Sequence, residues 1–251
     1  MKISRMLFLI TVLLFGTTLF AQNADSLISK ADALHEEENY AEVYDVMKQA
    51  EAVAPENFEV VWRLARANFD ISDNTTDEEK ISKHLYQGLS YAEKALEMDP
   101  NRAESHKWYG ILIGRVGEIE GTKQKIKNSY EVAEHTKKAI ELDPEDAANY
   151  HVMGRWHYTL ADLSWVERQV ASVIYAKPPQ ASFEEARKYF QTAIDKDPED
   201  IRNYVWLGRT QEALDNESGA RKAYNSALEI SAQSESDRKL QKEARELLND
   251  L

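Results

Sequence analysis

Four stretches of this 251-residue chain end alike: "KQAEAVAPEN", "EKALEMDPNR", "KKAIELDPED" and "QTAIDKDPED". Each closes an amphipathic helical pattern with an alanine. Each then places a proline five residues later, at Pro55, Pro100, Pro144 and Pro198. Proline cannot continue a helix, so each one forces a turn into a new unit. A fifth ending, "SALEISAQ", keeps Ala227 but has Ala232 where the proline would stand. Self-similarity of this kind marks a stack of helical repeats. The composition agrees. At 43% hydrophobic and 30% charged the chain is globular, and only 9 glycines and 6 prolines interrupt residues that favour helix.

Counting back from each proline recovers the tetratricopeptide repeat, a helix–turn–helix of about 34 residues. The last full unit shows the pattern best. Tyr204 stands at the fourth place, Leu207 and Gly208 at the seventh and eighth, then Ala220, Tyr224 and Ala227. The unit before it repeats this with Tyr150, Met153, Gly154, Ala186, Phe190 and Ala193. Gly110 and Ala139 serve the third, and Ala31, Tyr40 and Ala50 the first. The expected fold is all-α, a tetratricopeptide-repeat right-handed superhelix of about five helix pairs. It is read as one domain over residues 22–251, with units near 24–57, 58–102, 103–146, 147–200 and 201–232. The stretch 233–251 is read as a capping helix that covers the last unit's apolar face.

The proline spacings are 45, 44 and 54, so the middle units carry inserts. The first, "DISDNTTDEEKISKH", is polar and reads as a loop. The second, "VGEIEGTKQKIKNSY", reads as an extension of both helices. The third contains Leu163, Val166, Val170 and Val173 at helical spacing, stopped by "KPP", and predicts an extra helix folded onto the array.

Residues 1–21 have another character. Lys2 and Arg5 precede an apolar run over 6–20, and Ala21 follows. This is the pattern of a secretory signal peptide cut before Gln22, in a chain destined for the periplasm or the extracellular space. The alternative is an inner-membrane anchor formed by an uncleaved 6–20, although that run is short for a span. The expected intact mass is that of a chain starting at or close to Gln22; a full-length, membrane-extracted species would refute the cleavage. The formal charge is −13 and falls to about −15 without the leader, which argues against nucleic acid as a partner. With no cysteine there is no disulfide and no thiol chemistry.

The run "HVMGRWHYTLADLSW" (151–165) has the residue density of an active site. The repeat frame assigns it to scaffold. Met153, Gly154 and His157 fall where helix packs on helix, Trp156 points inward, and Trp165 lies in the insert. His157 is expected to be a core histidine with a satisfied ring nitrogen. His151 and His157 are six apart and do not share a helix face as a metal pair would. No nucleophile elbow or phosphate loop is present. Neither catalytic residues, metal nor cofactor is expected.

The inner face of the repeat is more informative. Its candidate groove residues are Trp62, Arg63, Arg66, Lys107, Trp108, Arg115, His151, Arg155, Tyr158, Arg202, Trp206 and Arg209. The inner positions of units two to five carry a surplus of three positive charges, in an acidic chain. Such a groove suits an extended partner with an anionic group, held by arginine forks and anchored on tryptophan. The bland reading is that the cations cover apolar surface and pair internally, with Glu59, Glu104 and Glu212 as counter-charges. The leading function is a non-catalytic scaffold for a protein or peptide. One alternative is a carrier of an anionic lipid or amphiphile, its acyl part on Trp108 and Trp206. Another is a hydrolase, for which no nucleophile–base pair is found.

The segments "HKWYG" (106–110), "GRWHY" (154–158), "LSWVER" (163–168) and "PPQASFEEARKYF" (178–190) resemble the repeat domain of the regulator of microtubule dynamics family. The resemblance covers roughly 30–230. It implies a partner-binding repeat domain without enzymatic activity. The eukaryotic members are microtubule-associated or organelle-contact proteins, with targeting or membrane segments where this chain has an export signal. An exported chain meets no microtubule, so the fold carries over and the role does not.

Overall fold

The computed structural model describes residues 23–174 and 180–251; the leader assigned to 1–21 and the "KPP" stop lie outside the described residues. All regular structure among the described residues is helical. Helix α1 covers 23–36. It is followed by α2 (Tyr40–Val53), α3 (Phe58–Asp73), α4 (Glu78–Met98), α5 (Ala103–Glu120) and α6 (Thr122–Leu142). Then come α7 (Ala147–Ala161), α8 (Trp165–Ile174), α9 (Phe183–Lys196), α10 (Ile201–Ala213), α11 (Glu217–Glu229) and α12 (Glu235–Asp250). No described helix is long and apolar enough to cross a membrane. The described residues form two compact units, the first ending at Pro100 and the second beginning at Asn101, each with its own internal packing.

The proline turns also start the next helix. In "DPED" the aspartate two places after the proline becomes the N-cap. Asp146 accepts from the Ala148 N–H and Asp200 from the Arg202 N–H. Asn57 does the same after Pro55, accepting from Glu59. One short motif therefore ends a helix and satisfies an orphan donor of its successor.

In the first unit α1 and α2 pack as a pair, and so do α3 and α4. Ala31, Val43, Met47, Ala50, Val60 and Leu64 form the core, all essentially buried. The first insert is not the expected loop. Helix α3 runs on to Asp73 and α4 begins at Glu78, leaving only 74–77 outside helix. Polar residues of the insert bond within the helix pair. Ser72 Oγ donates to the Phe69 carbonyl, Asn74 Nδ2 to the Asp70 carbonyl at 2.9 Å, and the His84 ring to Asn68 Oδ1 on α3 at 2.8 Å. Asp77 caps α4 through two backbone N–H groups.

In the second unit the pairs are α5–α6, α7–α9 and α10–α11. The second insert lengthens α5 and α6 as expected, and the turn between them is Gly121, whose φ of 93° suits glycine. Phe190 and Tyr224 lie fully buried against Gly154 and Gly208. Helix α12 covers the last pair. Leu240, Leu247, Leu248 and Leu251 pack around Ile201, Val205, Tyr224 and Ala227. A reciprocal Ser234–Asp237 capping box starts it.

The third insert does form a helix, α8, but not one folded onto the array by its apolar face. Glu167 turns toward α6, 3.8 Å from Lys125 and 3.4 Å from Thr122. Trp165, Val166 and Val173 are left 74%, 63% and 87% exposed. The polar edge of the helix makes the contact, Glu167 meeting the hydroxyl of Thr122 and the ammonium of Lys125 near the start of α6.

Candidate functional site

In the first unit, Trp62 is 9% exposed and forms the floor of a charged cluster. Its indole N–H donates to Glu59, and the guanidinium groups of Arg63 and Arg66 lie over the ring at 4.2 and 5.2 Å. Arg63 grips Asp32 as a fork, with Nε–Oδ1 at 2.9 Å and Nη2–Oδ2 at 2.8 Å. Arg66 Nη2 also reaches Oδ1, at 2.9 Å. Burial alone would raise the Asp32 carboxyl. The hydrogen bonds and charges of the two arginines outweigh it and hold the group below its usual range. Asp32 was missed in the sequence although the signal was there: it is the ninth residue of the first unit, an inner position. His35, the twelfth, lies 3.3 Å from Asp70 in the same way.

In the second unit, inner residues of α5, α7 and α10 meet. Glu118 of α5 lies 2.6 Å from Arg115 and 4.0 Å from Arg155 of α7. The Arg155 guanidinium sits 4.1 Å from the centre of the Trp206 ring on α10, and Arg209 sits 5.0 Å from it. Tyr158 meets the same indole edge-on at 5.3 Å, and Phe190 stacks near it at 6.2 Å. Arg209 is paired with Glu243 of α12 at 2.6 Å. Arg155 is thus the residue that joins three helices into one surface.

The other candidates do not join this cluster. Lys107 bonds Asp146 at 2.6 Å, with its ammonium 5.7 Å from the Trp108 ring. Arg202 folds back on its own N-cap, forking Asp200 at 2.9 Å through Nε and Nη2. His151 donates from Nδ1 to Asn203 Oδ1 at 2.7 Å, while Asn203 donates to Asp200. Burial, then the charges of Arg202 and Arg155, push His151 down to about 3, so its ring is neutral at pH 7. It is a structural link between α7 and α10 rather than a ligand contact.

Two expectations about the groove change. Trp62 and Trp108 are 9% and 7% exposed, and Trp206 is covered by arginine and aromatic rings. The tryptophans are platforms for cations, not anchors for a partner, because flat indoles at inner positions are claimed by neighbouring side chains. The counter-charges also differ from the expected set. Glu59 does pair with Arg63, but Glu104 turns to Arg102 and Glu212 accepts from the Tyr224 hydroxyl. Asp32, Glu118, Asp146, Asp200 and Glu243 supply the remaining charge, so the surplus counted on inner positions is offset by acids outside that count.

His157 is buried as expected, stacked on Tyr189 at 5.2 Å and edge-on to Trp156. Its Nδ1, however, meets no hydrogen-bond partner, and burial lowers its proton affinity. Helices α5 and α6 also bring His106 and His135 together, with their Nδ1 atoms 2.9 Å apart. No pattern in the sequence announced that pair, since the two residues lie in different helices. Among the described residues no group of three or more histidines and carboxylates is arranged to hold a metal.

The family model described as Regulator of microtubule dynamics protein 1-3 matches residues 27–251. Regulator of microtubule dynamics protein 1 of Mus musculus is 39% identical over 229 residues, which is 90% of this chain and 74% of the relative. Protein 3 of Rattus norvegicus is 31% identical, over 90% of this chain and 49% of its own length. Protein 2 of Homo sapiens is 30% identical, over 94% of this chain and 58% of its own length. Among solved structures, a thermophilic TPR protein of Thermus thermophilus, TTC0263, aligns with a TM-score of 0.69. It has 12% identity and covers 90% of this chain and 99% of its own. That likeness concerns the fold alone.

Proposed function

Since the chain belongs to the regulator of microtubule dynamics family, we propose that it is a non-catalytic scaffold. It binds a protein or peptide segment on the inner faces of α5, α7 and α10. The observation that carries this reading is the position of Arg155, between Glu118 of α5 and Trp206 of α10. Guanidinium and carboxylate groups are presented together over three successive inner helices, about a third exposed. A partner therefore engages this face by exchanging ion pairs, not by burying an aromatic anchor. No observation favours the lipid carrier, because the indoles meant for an acyl chain are already covered.

The same proposal puts the protein outside the cytoplasm, on the strength of Lys2, Arg5 and the apolar run that follows. The relatives are named for microtubule dynamics, and the exclusion of microtubules rests on that leader alone.

The test is Arg155→Glu. Cross-linking mass spectrometry of the protein in its own cells is expected to place partner cross-links on α5, α7 and α10, and the substitution to remove them. The melt should move little, because the arginine is partly exposed and its pairs are worth at most about 1 kcal/mol. Cross-links that persist in Arg155→Glu, or that map to α6, α9 and α11 instead, would overturn this reading.

A further inference from the structure

Glu118 occupies the place a partner's acid would take. Its two carboxylate oxygens face two different arginines, Oε2 toward Arg115 on its own helix and Oε1 toward Arg155 on α7. Across Trp206, Glu243 does the same for Arg209 from the capping helix. Both acids are at least a third exposed, so solvent screens their pairs and either can swing away at small cost. Neither holds a helix end or a core contact: α12 is fixed by its leucines, and α5 continues past Glu118.

We propose that Glu118 and Glu243 are resident competitors. On this reading, which rests on the binding face described above, the partner is an acidic peptide segment. Its carboxylates replace Glu118 between Arg115 and Arg155 and Glu243 at Arg209. The internal acids then set selectivity. A single weak anion cannot displace both, whereas a segment with two or more carboxylates gains from each exchange made after the first. They also keep the guanidinium groups from repelling one another when no partner is bound.

Fluorescence anisotropy with a fluorescein-labelled octaglutamate peptide tests this, with octalysine as the charge control. Glu118→Gln is expected to tighten octaglutamate binding about three- to fivefold, since it removes a surface pair of modest strength. Glu118→Gln with Glu243→Gln should tighten it further. The gain should shrink as salt rises through about 0.15 M, where exposed charges are screened beyond roughly 8 Å. Adding Arg155→Gln to Glu118→Gln should erase the gain. Glu97→Gln, which neutralises an acid on α4, should leave binding unchanged.

If Glu118→Gln binds no more tightly than the parent, while Arg155→Gln weakens both, the competitor role fails and the binding face stands. If Arg155→Gln has no effect on any of these proteins, the binding face falls with it. A gain equal to that of Glu97→Gln would show only a change in net charge, and would also overturn the competitor role.

Discussion

Gly154→Leu is expected to destabilise the second unit by about 1–3 kcal/mol or more, while Arg155→Ala next to it costs a fraction of that. A β-carbon built on Gly154 would stand 2.6 Å from the Phe190 ring, and one built on Gly208 would stand closer still to the Tyr224 ring. Both rings are fully buried, so neither can retreat without moving its helix. Helix propensity argues the other way, because glycine inside a helix is about 1 kcal/mol worse than alanine. Even Gly154→Ala therefore has an informative sign: contact predicts a loss, propensity a gain, and at 2.6 Å contact should win. Gly208→Leu should be at least as damaging. Urea melts of these variants beside Arg155→Ala measure the difference. If Arg155→Ala proved the more harmful, the packing of α7 on α9 would have to be other than described.

The second large effect is on the acid side of the stability curve. His151 is held neutral in the folded protein, its proton affinity lowered first by burial and then by Arg202 and Arg155. In the unfolded chain it titrates near about 6.5. Below that pH the unfolded state binds a proton that the folded state refuses, so unfolding becomes easier as pH falls. The stability from this residue is complete above about 6.5 and declines toward about 3, by up to about 1.4 kcal/mol per pH unit. His84, His135 and His157 are shifted in the same direction, each mainly by burial, and add to the slope. Asp32 and Asp200, held below the ordinary carboxylate range, extend the loss only under about pH 4. His151→Gln keeps a donor for Asn203 and removes the titration. Urea melts from neutral pH down to about pH 4 should show a shallower acid slope for it than for the parent. Parallel slopes would show that His151 does not charge on unfolding.

Much of the fold was legible because the repeat writes its packing in short-range terms. A proline followed two residues later by Asp or Asn ends one helix and caps the next, and no distant contact is needed for that. A glycine at the eighth place and a large ring in the second helix are complementary in volume, so Gly154 with Phe190 and Gly208 with Tyr224 could be matched in advance. The first insert departs from the loop expected of it because polarity is a poor guide there. Ser72 and Asn74 are polar yet bond to carbonyls of α3, which no periodicity reveals.

By itself, then, the sequence determined the helix pairs, the proline turns and the close-contact positions. It could do so because each depends on residues within one repeat. Only the tertiary structure decided what the inner-face cations meet. Glu118 and Glu243 lie on or near helix faces that look solvent-exposed in one dimension, whereas Asp32 stands at an inner position whose partner the sequence does not name. Long arginine side chains choose among them by where neighbouring helices stop and how they are offset. The same is true of α8. Its sequence specifies an amphipathic helix, but which side turns inward depends on what the adjoining end of α6 offers. There Lys125 and Thr122 take Glu167, and Trp165 is left facing out.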